Sequence, residues 1–405
     1  MNPIDSVDKC TTCSTCVAYC PVTRATRAFN GPKLTGPASE RFRLFGQGEI
    51  DALDYCSNCK NCDIACPSGV RISVLNMLAR AEACRVRRPS LRDWILAHGH
   101  TLAKWTSWIP APISRFGMLN PLTRSILDAL GIDRRAPLPA FAAPSFRAGL
   151  RQRQARSGDG NPAREKKGQV VFFPGCFVTD YDAETGFALV DLLELAGYQV
   201  ITPETECCGL PLVANGFLED AEKAALSNRA ILDPYVRQGL PILTVCPSCA
   251  LMLRREYGEF FPHHPELKDL SPLVEDACEF VGGLFERGEC AARPRESPAR
   301  LIYHAPCHLR AQGSGTPGLS LLRDIVPGIS IEDARAGCCG ISGSYGFKKE
   351  KYDVATAVGA DLFAAVKESG AEHVLTDCGT CRLQISAHTG KPASHPLVWL
   401  RNLLV

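Results

Sequence analysis

The 405-residue sequence contains no apolar run long enough to cross a bilayer. A spanning helix needs about 20 apolar residues in a row, and the longest stretch without a charged side chain, Gln238 to Leu253, carries two prolines and a CxxC pair. Net charge is also scarce: 45 Lys and Arg stand against 43 Asp and Glu, leaving +2. An even balance says nothing about partners, while the local basic stretch Arg134 to Gly168 suits anionic lipid, nucleic acid or a solvated linker; it is read as a linker, and no nucleic-acid partner is expected. No GxxxxGK[ST] loop occurs, and no Ser-His-Asp or paired-carboxylate pattern stands out, so the chain lacks a recognisable nucleotide, flavin, hydrolytic or dehydrogenase site. The one GxGxxG, Gly313 to Gly318, trails the apolar run Leu301 to Tyr303 by several residues and reads as a loop. The opening Met1 to Lys9 has neither an apolar core nor a small-residue cleavage site, which predicts no signal peptide and a cytoplasmic location.

Cysteine is what the sequence does have, 21 residues of it. A chain of this length builds two or three domains with their own cores and needs no disulfide staples. In a reducing compartment closely spaced thiols serve metals or catalysis. Eighteen of the 21 fall in regular motifs; Cys84, Cys278 and Cys290 stand outside. Cys84 lies in a helical pattern, Val70 to Val86, and is expected to pack there as a small hydrophobe.

Two copies of CxxCxxCxxxCP lie 46 residues apart, at Cys10, Cys13, Cys16, Cys20-Pro21 and at Cys56, Cys59, Cys62, Cys66-Pro67. In two-cluster ferredoxins the fourth cysteine of each run ligates the other cluster. The spacing therefore predicts one cubane [4Fe-4S] cluster on Cys10, Cys13, Cys16 and Cys66, and a second on Cys56, Cys59, Cys62 and Cys20. Zinc would favour pairs of CxxC instead.

A second repeat follows: Cys176, Cys207-Cys208-Gly209, Cys246 and Cys249, then Cys307, Cys338-Cys339-Gly340, Cys378 and Cys381. The offset is 131 residues for the first three cysteines and 132 for the last two. Five thiols exceed the need of a zinc ion or a single cubane, and Gly209 and Gly340 allow a tight turn that aims adjacent thiolates at one metal group. An iron-sulfur cluster of unusual shape in each copy, a zinc site in one copy, or a redox-active dithiol at CxxC all remain open. His304 and His308 flank Cys307 and are candidates to ligate or hydrogen-bond such a group, while Lys348 and Lys349 are candidates to neutralise it.

Short apolar runs that end at cysteines, such as GQVVFFPGC, LPILTVCPSC and AEHVLTDCGTC, alternate with helical patterns at Ala183 to Ala196, Glu219 to Val236, Leu319 to Ile325 and Glu350 to Glu368. Alternation of this kind implies a mostly parallel sheet with ligands outside the carboxyl ends of its strands. The expected class is α+β: a helical two-cluster ferredoxin domain (1–87), a basic, Trp-bearing helical segment (88–133), a linker (134–168) and duplicated α/β domains (169–290 and 291–405). The linker holds nine basic residues against two acidic ones. From Arg85 to Arg124, seven Lys and Arg accompany Trp94, Trp105 and Trp108 against Asp93 alone, a composition suited equally to an anionic membrane surface and to a covering of helices over the ferredoxin core.

Two ferredoxin runs followed by two Cys-Cys-Gly (CCG) domains resemble the iron-sulfur C-subunits of bacterial anaerobic glycerol-3-phosphate dehydrogenases. The similarity extends through GPKLTGPASERFRL, YCSNCKNCDIACPSGVRI, RPSLRDWILAHGH, CCGLPLVANGF, CCGISGSYGFKKE and HPLVWL. The layout is shared less closely by iron-sulfur subunits of glycolate oxidase, lactate-utilisation proteins and heterodisulfide reductases. The resemblance implies an electron-transfer subunit that takes electrons from flavoprotein subunits toward menaquinone or ubiquinone, held peripherally on the cytoplasmic side of the inner membrane. It further implies one or two noncubane [4Fe-4S] clusters, on Cys176, Cys207, Cys208, Cys246 and Cys249 and on Cys307, Cys338, Cys339, Cys378 and Cys381. Glycolate, lactate or thiol-disulfide chemistry are the alternatives the same layout implies.

Overall fold

A computed structural model describes residues 3–43, 51–105, 120–157 and 167–404. Eight short strands form two sheets, each of four parallel strands. β1 (Gly168–Phe172), β2 (Tyr198–Ile201), β3 (Ile242–Thr244) and β4 (Val274–Asp276) lie in the order β2-β1-β3-β4. β5 (Arg300–Tyr303), β6 (Ser330–Asp333), β7 (His373–Leu375) and β8 (Ala393–Ser394) repeat it as β6-β5-β7-β8. The last three residues of each central strand, Val170 to Phe172 in β1 and Leu301 to Tyr303 in β5, are buried, as parallel strands covered on both faces must be. Each sheet reverses its order beside its first strand, and the cysteines lie past the carboxyl ends of β1, β2 and β3 and of β5, β6 and β7, on the side where such a switch point opens a crevice.

The two sheets belong to one body. A single core runs from Phe172, Leu189 and Leu243 of the first domain to Leu301, Leu322 and Leu375 of the second. The helix Ala183–Leu195 packs on the C-terminal helix Pro396–Leu404, and the helix Ala277–Glu286 packs on Pro317–Ile325. These pairs are one contact made twice, because each joins the helix after the first strand of one copy to the last helix of the other. The duplicated halves thus meet as the two protomers of a symmetric dimer do.

The ferredoxin domain is made of short helices around Ile72–Val86, whose inner face (Ile72, Val74, Leu75 and Met77) is fully buried. It docks on both sheet domains. Ile72–Val86 meets Leu210–Ala214 and Tyr257–Phe260 of the first, and Pro21–Ala25 meets Tyr352–Glu368 of the second. Arg80 fastens the joint: its guanidinium donates to Leu53 O, Cys56 O and, at 2.6 Å, Ala214 O. Cys84 packs, as expected, beside Gly216, where an added Cβ would lie 2.3 Å from its sulfur.

The stretch expected as a linker is corrected in part. Phe146–Ser157 is a helix, and Phe146 is fully buried against Phe172 and Phe187 of the first sheet domain. Its arginines answer carboxylates and carbonyls of that domain: Arg147 donates to Pro203 O and Thr205 O, Arg153 to Asp191, and Arg151 to Glu204. One aromatic anchor amid polar residues leaves no helical period, which is why the pattern concealed it. Gly313 and Gly315 take positive φ in a loop that follows the short helix Cys307–Arg310, as their spacing predicted.

A candidate chain of iron-sulfur sites

In the ferredoxin domain Cys10, Cys13, Cys16 and Cys66 line one cavity, with Lys33 at its edge. The distant cysteine of the second run thus lies beside the three of the first. Burial and the neighbouring Cys66, Cys10 and Cys13 push the Cys16 thiol up to about 11. Cys20 in turn lies among Cys56, Cys59 and Cys62: after burial, Cys56 raises Cys20, and Cys56, Cys59 and Cys20 raise Cys62. Four thiolates packed this closely without a cation repel one another, and iron removes that cost.

The backbone around the thiols is bent in a repeated way. Thr12 and Ser14 of the first run, and Asn58 and Lys60 of the second, have φ of 60°, 64°, 56° and 66°. Among the described residues only two other non-glycine residues have positive φ, Arg335 and Ser342, and these bracket Cys338-Cys339-Gly340. Left-handed backbone costs about 1–2 kcal/mol per residue, and alternation with right-handed residues turns successive N–H groups inward to a concavity that suits an anionic cluster. All six strained residues therefore stand beside cysteine motifs, where strain has a use.

In the first sheet domain the sulfurs of Cys176 and Cys207 are 3.4 Å apart, and hydrogen bonds link Cys207 to Cys208, Cys208 to Cys249 and Cys249 to Cys246. Hydrogen bonds with Cys176 and Cys208 hold the Cys207 thiol well below its ordinary range. The second domain repeats the set. Cys338 is held down by Cys307 and Cys339, the sulfurs of Cys339 and Cys381 are 3.2 Å apart, and hydrogen bonding to Cys381 lowers Cys378 to about 6. Gly209 and Gly340 have φ of 89° and 86°, and a Cβ on Gly340 would fall 1.8 Å from Ala355 O. Ten buried or half-buried thiols in two tight groups, each turning on a glycine, fit iron-sulfur clusters better than single ions.

The four groups adjoin one another. The Cys338 thiolate raises Cys59, already lifted by burial, to about 12. Cys59 acts likewise on Cys307. Cys246 of the first domain is held down by its hydrogen bond to Cys249, against burial and the neighbouring Cys378 of the second domain, which push it up. Packing agrees: Cys16 of the first ferredoxin group and Cys62 of the second share one buried cluster, Ser342 beside Cys338-Cys339 bonds Ser57 O of the second ferredoxin loop, and the helix Cys307–Arg310 meets Pro247–Leu251, which gives the contact order first ferredoxin group, second ferredoxin group, second CCG group, first CCG group.

His308 and His304 differ in what they touch. His308 Nε2 donates to Asn58 O at 3.0 Å, and its Nδ1 accepts from Ser248 at 2.8 Å, so one neutral imidazole pins three domains together at their cysteine loops. His304 is buried beside Cys339 and Cys381, and its Nε2 has no hydrogen-bond partner. Burial lowers it to about 4. Lys348 and Lys349 are engaged elsewhere: they bind Asp93 at 2.8 Å and Asp128 at 2.6 Å and moor the helices Leu91–Ala97 and Pro121–Ala129. The sequence reading missed Lys60, which is buried in the second ferredoxin loop and paired with the equally buried Glu256. It also missed Arg80. Nothing in a linear pattern marks a buried charge.

These features define a class: an iron-sulfur protein with a two-cluster domain and paired cysteine-rich domains. Residues 6–70 match the 4Fe-4S dicluster domain family, and residues 170–254 and 301–386 match the Cysteine-rich domain family. The chain is 36% identical over 403 residues to the C-subunit of anaerobic glycerol-3-phosphate dehydrogenase from Escherichia coli (strain K12), covering 98% of this chain and 99% of that one. It is 29% identical over 221 residues to the B-subunit of fumarate reductase (CoM/CoB) from Methanothermobacter marburgensis (54% and 41% of the two chains). It is 26% identical over 232 residues to lactate utilization protein A of Bacillus subtilis (55% and 92%). The chain belongs to the family of anaerobic glycerol-3-phosphate dehydrogenase C-subunits.

Proposed function

We propose that the chain carries electrons from flavoprotein subunits that oxidise sn-glycerol 3-phosphate toward a quinone, through four iron-sulfur sites in the contact order given above. The continuity of the four thiol groups carries this reading. Cys10, Cys13, Cys16 and Cys66 would hold one cubane cluster and Cys20, Cys56, Cys59 and Cys62 the next. Cys307, Cys338, Cys339, Cys378 and Cys381 would hold one noncubane cluster, and Cys176, Cys207, Cys208, Cys246 and Cys249 another. The clusters supply one-electron exchange. The residues of the chain fix their spacing: Arg80 and His308 bind the ferredoxin loops to both sheet domains, so adjacent groups keep one separation.

The cysteine assignment makes a sharp prediction. Cys66→Ser, although it lies in the second run, perturbs the electron paramagnetic resonance signal of the first cubane, and Cys20→Ser that of the second. The opposite pairing would sink the assignment. For the electron path, addition of glycerol 3-phosphate to the anaerobic complex with its flavoprotein subunits should bleach the brown colour of this chain. Unchanged absorbance would end the proposal, and bleaching by lactate or glycolate alone would reassign the donor. Purified protein should show no disulfide-reducing activity with a low-potential donor; turnover there would move the function to the CCG groups themselves.

We also propose a peripheral membrane position on the cytoplasmic face. No helix among the described residues is long and apolar enough to cross a membrane. The described basic residues from 85 to 124 are mostly engaged within the protein: Arg85 with Glu82 and Glu219, Arg92 with Glu350, Lys104 with Glu206, and Arg124 with Ala136 O. Apolar side chains are the better candidates for lipid contact. Trp105 is 63% exposed, and Leu122 and Ile126, one turn apart on the helix Pro121–Ala129, are 70% and 54% exposed. Trp108 lies outside the described residues.

A further inference from the structure

The two CCG groups share ten cysteines in register but not their surroundings. Three residues before Cys307 stands His304; three residues before Cys176 stands Phe173. Both side chains are buried where the first strand of their sheet ends. Phe173 brings an apolar ring to its group, whereas His304 brings a nitrogen that lies within 4.8 Å of the sulfurs of Cys339 and Cys381, with those two sulfurs 3.2 Å from each other. Three donor atoms this close fit around one metal atom, since iron-sulfur and iron-nitrogen bonds are each of order 2 Å.

The His304 ring is 2% exposed and its Nε2 has no hydrogen-bond partner, a costly arrangement for a buried polar atom. His308, four residues on, shows the contrasting case, with both nitrogens engaged by Ser248 and Asn58. The first group has a histidine near it as well: His100 arrives from the helix Gly99–Trp105, tied through Nδ1 to Asp180 at 2.7 Å, and its Nε2, also without a hydrogen-bond partner, lies 3.9 Å from Glu206 and not between two cysteine sulfurs as the nitrogen of His304 does.

We propose that His304 is a nitrogen ligand to iron in the second CCG site, bound next to Cys339 and Cys381, and that the first site has no such ligand. The inference rests on the reading that the second CCG group holds a cluster. Its consequence is a difference between two sites that the cysteine pattern makes look alike: the second offers a neutral nitrogen where the first offers a hydrocarbon ring, and at that one position imidazole gives a higher reduction potential than a thiolate would, as in Rieske centres.

The test uses the full chain, reconstituted anaerobically with iron and sulfide, with ¹⁴N- or ¹⁵N-labelled histidine. Pulsed electron paramagnetic resonance of the CCG signals should show one strongly coupled histidine nitrogen. That coupling should vanish in His304→Cys and persist in His100→Phe and His308→Gln. His304→Cys supplies a thiolate at the same place, so iron content should hold while the midpoint potential of the second site falls. His304→Phe, which copies the first site, should lose the coupling too; if it also loses iron, the cysteine variant still decides. A second-site signal without strong nitrogen coupling, or with coupling unmoved in His304→Cys, overturns the ligand. A second site that takes up no iron in the unaltered protein overturns both the ligand and the cluster reading, and iron analysis of Cys339→Ser against the unaltered protein tells these failures apart.

Discussion

At Gly340 the backbone leaves no room for a side chain: φ is 86° and a Cβ would collide with Ala355 O. Gly340→Ala should therefore cost on the order of 3 kcal/mol or more, since overpacking against backbone and a left-handed alanine add. Iron at the second CCG group should be lost while the ferredoxin signals remain, as iron analysis with electron paramagnetic resonance would show. Retention of both would mean that the turn relaxes freely. The same substitution at Gly209 should be milder, because there the nearest atoms stand 3.4 Å away and only the conformational cost applies. His308 offers a second test. His308→Ala leaves the Ser248 hydroxyl and the Asn58 carbonyl unpaired, a loss of about 1–3 kcal/mol. Hydrogen exchange at the backbone of the second ferredoxin loop should accelerate in that variant; protection equal to the unaltered protein would remove His308 as the pin.

The loop Cys56–Cys62 and the helical stretch from Met252 to Phe260 are joined by a buried ion pair, Lys60 with Glu256, and their response to substitution is asymmetric. Burial alone would strip the proton from Lys60, but Glu256 and Asp63 hold its ammonium above the usual lysine range. Lys60→Met leaves Glu256 alone in the interior and should cost about 3–5 kcal/mol, whereas Lys60→Met with Glu256→Leu should cost much less. Thermal melting of the holoprotein checks this, and equal losses in both variants would refute it. Elements that carry cysteine motifs were legible in the sequence, because β1, β3, β5 and β7 each run almost directly into a cysteine, and β2 and β6 reach one after a short loop. The edge strands β4 and β8, of three and two residues, have no cysteine and too few residues for a period, so nothing announced them. The helix Phe146–Ser157 was hidden for the opposite reason, since it is held by one ring and by arginines that resemble solvated charge. The contact order of the four groups, and the contrast between His304 and His308, depend on how three domains meet. Long-range docking leaves no periodic trace.

At the scale of the whole molecule, the surface around Trp105 and the helix Pro121–Ala129 decides how the protein would meet a membrane. An apolar side chain buried in lipid contributes about 1.5–3 kcal/mol, and a free basic residue near anionic lipid about 1, but most of the basic residues here already have protein partners. Flotation with liposomes should therefore persist in high salt, and Trp105→Ser with Ile126→Ser should abolish it. Binding that salt removes, or that the double variant keeps, would favour a different surface. The dimer-like contact between the two sheet domains has a further consequence. In an assembly of two identical chains every substitution strikes both copies, so neither can specialise without the other. Once the copies share one polypeptide, a phenylalanine can stand in one crevice and a histidine in the other. Joining the partners end to end thus preserved their mutual grip and released them from having to stay alike.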